Sequence, residues 1–108
     1  MNNESNDFDD DFEYAVDAYE REDYKTAYKL FLPLAEQEDS DAQCYLGWIY
    51  ANGQGVPQDY ALAHMWFNLC GSSGDVNCID KRNIVEKKMT KQQIEKAQEM
   101  ATNWKPKK

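Results

Sequence analysis

A set of residues recurs along this chain at a constant spacing of 36 residues. The recurring pairs are Asp23 and Asp59, Tyr24 and Tyr60, Ala27 and Ala63, Phe31 and Phe67, and Asp39 and Asp75. A period of this length is typical of repeats built from one helical hairpin, which cannot bury its apolar face alone. The repetition therefore predicts paired helices stacked around one shared interior.

The second copy carries the clearest local signals. Leu46 and Tyr50 lie on one face of a helix, since apolar residues recur at three- and four-residue spacing from Ser40 to Asn52. Ser40 and Gln43 fit a capping box, which predicts that the helix begins there. A turn rich in Gly and Asn follows at residues 52–55, and a second apolar pattern begins after Asp59. Two helices joined by so short a turn form a hairpin.

Helical patterns also occur on both sides of this hairpin. We predict helices at about Asp9–Glu22 and Asp23–Glu38 before it, and at about Asp75–Lys88 after it. A second capping box at Thr90 predicts one more helix that ends near Trp104. The fifth helix has a thin apolar stripe, made of Val76, Ile79, Val85 and Met89.

The segment AQCYLGWIYANGQGVPQDYALAHMWF resembles a Sel-1-like repeat, a relative of the tetratricopeptide repeat. The matching residues are Ala42, Gln43, Leu46, Gly47, Tyr50, Gly53, Gly55, Val56, Asp59, Ala63 and Trp66. The preceding segment is similar to a first repeat without the Gly-rich turn, and the tail resembles the closing helices of such arrays. The resemblance implies an all-α protein, an α-α superhelix of about three antiparallel hairpins that serves as a protein-binding scaffold.

The expected organisation is one domain over residues 8–104, with hairpins at about 8–38, 40–74 and 75–104. Residues 1–7 are polar and acidic, which predicts disorder, and residues 105–108 form a basic tail.

Charge is distributed unevenly. Residues 1–41 contain 14 acidic and 3 basic residues, whereas residues 80–108 contain 4 acidic and 9 basic residues. The overall net charge of −8 argues against nucleic-acid binding, which needs a concentrated basic surface. No stretch of apolar residues is long enough for a transmembrane helix. The polar start is unlike a signal peptide, so we expect a cytoplasmic protein if Met1 is the native start, and a periplasmic or secreted one if a signal was removed.

Three cysteines raise the question of a disulfide or a metal site. Cys70 and Cys78 flank a Gly-rich turn, with a spacing similar to that of cysteine pairs in secreted, cysteine-rich Sel-1-like proteins. Both lie one position earlier than in that group, a rotation of about 100° on a helix. Two alternatives stay open: a disulfide between Cys70 and Cys78, or small buried thiols. Cys44 is expected to be free in either case.

No constellation of catalytic residues is evident. His64 is the only histidine, and the cysteines lack the tight spacing of zinc sites, so we predict no metal and no cofactor. The serines lie in no nucleophile elbow or S-x-x-K motif. We therefore predict that the chain is not an enzyme. The resemblance to the cysteine-rich group leaves β-lactam binding, or weak β-lactamase-like hydrolysis, as the alternative.

Protein binding is the better-supported function. In stacked hairpins the first helix of each pair lines the concave face, so polar and aromatic positions outside its core stripe are free to contact a partner. The predicted partner-binding residues are Glu13, Asp17, Glu20, Asp41, Trp48 and Asn52. Trp48 is the candidate hot spot, with packing against the neighbouring helix five or one as the alternative, whereas Trp66 and Trp104 are expected in the core.

The expected partner is a protein or peptide, and the acidic first third of the chain would attract a basic one. A narrower alternative is therefore an acidic inhibitor or immunity-type partner of a basic protein. We expect no nucleic-acid or membrane partner, and we expect a monomer.

Overall fold

Six helices make up the part of the chain that the computed structural model describes, residues 7–106, with side chains from residue 10 onward. They are α1 (Asp7–Glu20), α2 (Tyr24–Glu36), α3 (Ser40–Asn52), α4 (Tyr60–Gly71), α5 (Val76–Glu86) and α6 (Lys91–Asn103). No strand occurs in these residues. The all-α prediction is confirmed. The predicted disordered segment lies outside the described residues except for residue 7, and so do residues 107–108 of the basic tail.

An aspartate caps the N-terminus of each helix from α2 to α5. The side chains of Asp23, Asp39, Asp59 and Asp75 each accept a hydrogen bond from a backbone N–H in the first turn of the helix that follows. Such a bond satisfies one of the donors that a helix leaves unpaired at its start. The recurrence of aspartate along the sequence thus marks where each of these four helices begins.

The predicted capping box at the start of α3 is wrong. Asp39, one residue earlier than expected, has extended backbone and caps the helix, with its Oδ1 atom 3.1 Å from the N–H of Ala42. Gln43 is buried and turns away from the cap, donating through Nε2 to the backbone carbonyl of Ala35 at 3.1 Å. Gln43 therefore ties α3 to the last turn of α2. The other predicted box, at Thr90, is confirmed.

The helices form an elongated stack of 52 × 27 × 22 Å. Along the chain α1 packs on α2, α2 on α3, and α3 on α4. Both α5 and α6 then pack on α4, more than on each other. The indole rings of Trp66 and Trp104 meet edge to face at 5.9 Å, which attaches α6 to α4. Within residues 7–106, no helix combines the length and apolar character needed to cross a bilayer.

Gly47 allows a close approach inside the α3–α4 pair. A Cβ atom at this position would lie 2.4 Å from Cε1 of Phe67. A glycine inside a helix usually makes room for a neighbouring backbone. At Gly47 the group that comes close is the side chain of Phe67. Gly53 ends α3 in the left-handed region, at a φ of 63°, as its position in the predicted turn requires.

The predicted core stripe of α5 is partly wrong. Val76 is the first residue of the helix and is 65% exposed. Cys78 is fully buried instead, together with Val85. The reason is that Cys78 is bonded to Cys70 of α4 and is held inside, whereas Val76 is the first residue of the helix and stays exposed.

Candidate functional site

A groove of about 560 Å³ runs along one side of the stack. It is lined by Phe12 and Tyr19 of α1, by Asp41, Cys44, Tyr45 and Trp48 of α3, and by Lys81 of α5. Every lining residue thus comes from the first helix of a pair. This is the side that becomes concave when helical hairpins stack.

Aromatic rings form the floor of the groove. Tyr45 stacks on Phe31, with ring centroids 4.4 Å apart and planes within 10°. Phe12 and Tyr19 of α1 both meet the Tyr45 ring edge to face, with ring centroids 6.1 and 5.3 Å from it. The hydroxyl of Tyr19 also donates to Oε1 of Gln54 at 2.9 Å. These contacts hold the rings in place, so the floor is arranged before any partner arrives.

The titratable groups of this floor are neutral near pH 7. Burial raises the pKa of the Tyr19 and Tyr45 hydroxyls. Burial also raises the pKa of the Cys44 thiol, and the positive charge of Lys81 lowers it by a smaller amount. The charge of the groove therefore comes from Lys81 and from carboxylates such as that of Asp41.

Trp48 is half-buried, and it contacts α4, a helix that the predicted alternative did not name, as well as α5, which it did. Its ring meets the edge of Phe67 from α4 at 5.6 Å, so it packs against a neighbouring helix. Its remaining surface lines the groove, where Nζ of Lys81 lies 5.7 Å from the ring centroid. At this distance the ammonium group attracts the indole face. Its role in partner binding stays a prediction.

The other predicted partner-binding residues occupy different places. Asp41 lines the groove, and Glu13 lies with it in an adjoining depression of about 300 Å³. Asp17 is exposed and forms an ion pair with Arg21 at 2.9 Å. Glu20 and Asn52 are exposed but do not line the groove.

Five groove residues are missing from the sequence prediction: Phe12, Tyr19, Cys44, Tyr45 and Lys81. The three aromatic residues follow the apolar stripes of their helices, so periodicity assigns them to the core. Their half-buried rings serve both the core and the groove. The predicted alternative placed helix five or one beside Trp48, but it did not single out Lys81 as the residue of α5 that lies there.

A disulfide joins Cys70 at the end of α4 to Cys78 in the first turn of α5, with Cα atoms 5.9 Å apart. The shift of one position relative to the cysteine-rich proteins therefore does not prevent bridging. Cys44 has a free thiol, and its Sγ atom lies within 4.8 Å of both disulfide sulfurs.

The remaining candidates for chemistry have structural partners. His64 is buried in α4, and its Nε2 atom lies 2.6 Å from Oε2 of Glu86 in α5. The hydroxyls of Ser72 and Ser73 donate to the last carbonyl groups of α4. In the described part of the chain, these groups stabilise helix ends and helix contacts, and they lend no support to the β-lactam alternative.

Comparison with known proteins agrees with this architecture. A model of the Sel1 repeat matches residues 14–39 and 40–75, more than half of the chain. Among solved structures, the chain is similar to a protective antigen present in uropathogenic Escherichia coli strains, a protein described as displaying an SLR fold. The TM-score is 0.86 and the identity 28%, over 93% of this chain and 22% of that one. The chain thus spans about a fifth of that protein. No curated protein sequence matches it.

Proposed function

The chain belongs to the Sel1 repeat family, and from this premise we propose that it is a protein-interaction module that holds a polypeptide segment in the groove between α1 and α3. Sel1 repeat proteins are generally non-catalytic scaffold modules, in agreement with the prediction that this chain is not an enzyme. The groove supports the proposal because it is lined by the helices that line the concave side of such arrays.

The observation that carries the proposal is the set of half-buried aromatic rings in the groove. Phe12, Tyr19, Tyr45 and Trp48 all keep surface accessible there, although each also packs inside the stack. Aromatic side chains contribute more binding energy than other residues at protein interfaces. A volume of about 560 Å³ falls within the usual range of ligand pockets, roughly 300–1,000 Å³. It suits a short segment of a partner.

Charge indicates which segment would fit. Asp41 lines the groove and Glu13 adjoins it, while Asp17 and Glu20 are exposed on the same helix as Phe12. We therefore propose a partner with an apolar or aromatic anchor flanked by Lys or Arg. The anchor would lie on the rings, and Arg would add stacking on an aromatic face. The acidic inhibitor of a basic protein is a narrower form of this proposal.

A peptide library tests it directly. Display of random twelve-residue peptides against the purified chain should enrich basic sequences that contain an aromatic residue. The Trp48→Ala variant should bind the enriched peptide at least tenfold more weakly, about 1.4 kcal/mol, by fluorescence polarisation. Tyr14→Ala is the matched control, because Tyr14 is an aromatic residue, 64% exposed, outside the groove lining.

Circular dichroism of both variants checks that the helices persist. Equal binding by Trp48→Ala and the wild-type chain would contradict the groove assignment, and so would a library without enrichment. Raising the salt concentration should weaken binding, since surface charges are then screened. The combined Glu13→Gln and Asp41→Asn variant should lose most of that salt dependence. We also propose that the chain binds as a monomer, which light scattering of the complex would test.

A further inference from the structure

The fold gathers all three cysteines of the chain at one place. Cys44 lies in the middle of α3, Cys70 in the last turn of α4 and Cys78 in the first turn of α5. Their Sγ atoms lie within 4.8 Å of one another. The two disulfide-bonded cysteines are fully buried, whereas Cys44 lines the groove. The cluster is therefore buried on one side and reachable from the groove on the other.

We propose that reduction of the Cys70–Cys78 disulfide turns this cluster into a three-thiolate binding site for Zn²⁺. Thiolates select thiophilic ions, zinc among them, over hard cations such as Mg²⁺ and Ca²⁺. The proposal is independent of partner binding in the groove, because it rests on the positions of the sulfur atoms.

The separations suit tetrahedral zinc. Zinc–sulfur bonds of about 2.3 Å place two thiolates of one tetrahedron about 3.8 Å apart. Sulfur atoms already within 4.8 Å need to close by about 1 Å or less, which side-chain rotation supplies. Reduction must also let the sulfurs of Cys70 and Cys78 separate. Their Cα atoms, 5.9 Å apart, leave room for two thiolates on one ion.

Asp75 lies at the edge of the cysteine cluster. It caps α5 through Oδ1, which accepts from the N–H groups of Asn77 and Cys78. Its second oxygen, Oδ2, lies 3.9 Å from Sγ of Cys70. A zinc ion with one thiolate and one carboxylate ligand holds their sulfur and oxygen atoms about 3.5 Å apart. The carboxylate is therefore oriented by its capping bonds beside the sulfur of Cys70, although it is not among the groups that lie within 4.8 Å of all three sulfur atoms.

The surrounding charges set how binding depends on pH. Burial raises the pKa of the Cys44 thiol, the charges of Asp75 and Asp41 raise it further, and Lys81 lowers it. A thiol must lose its proton to bind zinc as a thiolate. Affinity should therefore increase as the pH rises. Lys81 partly balances the negative charge that three thiolates and Asp75 leave around the ion.

The redox step requires a dithiol as the reductant. The dithiol transfers two electrons and two protons to the sulfurs of Cys70 and Cys78, their S–S bond breaks, and the dithiol becomes a disulfide. Zn²⁺ then displaces three thiol protons, which pass to solvent. The groove beside Cys44 offers a route for the ion.

Cobalt titration tests the proposal. The chain is reduced with dithiothreitol, desalted without oxygen and titrated with Co²⁺, whose absorption reports thiolate ligands and tetrahedral geometry. We expect one equivalent to bind, Zn²⁺ to displace it, and about three protons to be released per ion. The oxidised chain should bind none. Absence of thiolate-to-cobalt absorption in the reduced chain would overturn the proposal.

Variants identify the ligands. Cys44→Ser should weaken binding at least a hundredfold, while circular dichroism of its oxidised form shows that the fold is kept. Asp75→Asn should weaken it about tenfold, a change typical of altered metal surroundings. Asp80→Asn is the matched control, an exposed carboxylate on the same helix, and should bind like the wild-type chain. Wild-type affinity in Cys44→Ser would show that the three cysteines do not act together.

Discussion

At Gly47 the missing side chain lets the Phe67 ring lie against the backbone of α3. Phe67 is fully buried, and its edge in turn supports the ring of Trp48 in the groove. The position of the proposed binding residue therefore depends on a glycine that does not itself face the groove.

Replacing Gly47 with Ala should destabilise the chain by about 1–3 kcal/mol, a typical cost of forcing extra atoms into a packed core. The added Cβ would meet the Phe67 ring at 2.4 Å. The better helix propensity of Ala, worth about 1 kcal/mol, would offset only part of this cost. Urea unfolding followed by circular dichroism measures the change. The same substitution in a Phe67→Leu background should cost less, and a stabilised Gly47→Ala variant would contradict this packing.

The half-buried tyrosines make the stability sensitive to alkaline pH. The hydroxyls of Tyr28 and Tyr50 lie 2.9 Å apart, and burial followed by this hydrogen bond raises the pKa of Tyr50 well above its usual range. Above about pH 10 the unfolded chain loses phenolic protons that the folded chain keeps. The free energy of unfolding should therefore fall as the pH rises through that range.

Tyr50→Phe tests this expectation. The variant should show a shallower decrease in unfolding free energy between pH 9 and pH 11, because one of the proton-retaining groups is gone. Urea titrations at several pH values measure the slope. If the unfolding free energy falls with pH as steeply as in the wild-type chain, the alkaline sensitivity comes from other groups, such as Tyr19 or Tyr45.

At the scale of the elements, polar and covalent contacts join α5 to α4. Only Cys78 and Val85 of α5 are buried. The disulfide, the pair formed by His64 and Glu86, and the hydrogen bond from Arg82 to Asn68 at 2.8 Å connect the two helices. Helix α5 has too narrow an apolar face to be held by burial alone.

Two carboxylate-to-alanine variants compare the stability contributed by the His64–Glu86 contact with that of a surface ion pair. Glu86→Ala leaves Nε2 of buried His64 without its partner and should cost about 1–3 kcal/mol. Asp17→Ala removes the exposed pair with Arg21 on α1 and should cost at most about 0.5 kcal/mol. Chemical denaturation of both variants gives the comparison. Equal losses would mean that the His64 contact does not stabilise the α4–α5 interface.

At the scale of the whole molecule, α4 is the centre of the C-terminal half. It receives α3 on one side and both α5 and α6 on others. The last helix has one buried residue, Ala97, and is anchored by Trp104 against Trp66. Its exposed residues are polar, as the end of a repeat array requires. Helix α6 thus closes the stack by packing against α4.

Trp104→Ala should loosen this closing helix. We expect a loss of about 2–3 kcal/mol, somewhat less than the roughly 3–5 kcal/mol typical of a fully buried tryptophan, because Trp104 is only half-buried. The fluorescence of Trp66, now 4% exposed, should shift toward that of a hydrated indole. Tyr14→Ala, at an exposed position, should change the stability by less than about 0.5 kcal/mol. If the emission of Trp66 stays that of a buried indole in Trp104→Ala, α6 is held by other contacts.

The sequence by itself determined the helices, the pairing of the first four helices and most of the caps, although Asp39 caps α3 in place of the predicted Ser40. These features depend on residues close together in the chain: the apolar period of a helix, an aspartate before its first turn, and Gly53 where the backbone turns left-handed. For this reason the repeat pattern predicted the architecture before any contact between helices was known.

Only the tertiary structure decided which side chains meet across helices. The sequence did not indicate that Cys44 lies beside Cys70 and Cys78, that Lys81 lies over Trp48, or that α6 packs on α4. Periodicity assigns a residue to a face of its helix, whereas the partner of that face depends on how far each helix is rotated and shifted against its neighbours. That rotation results from the packing of the whole set of side chains, so no local pattern contains it.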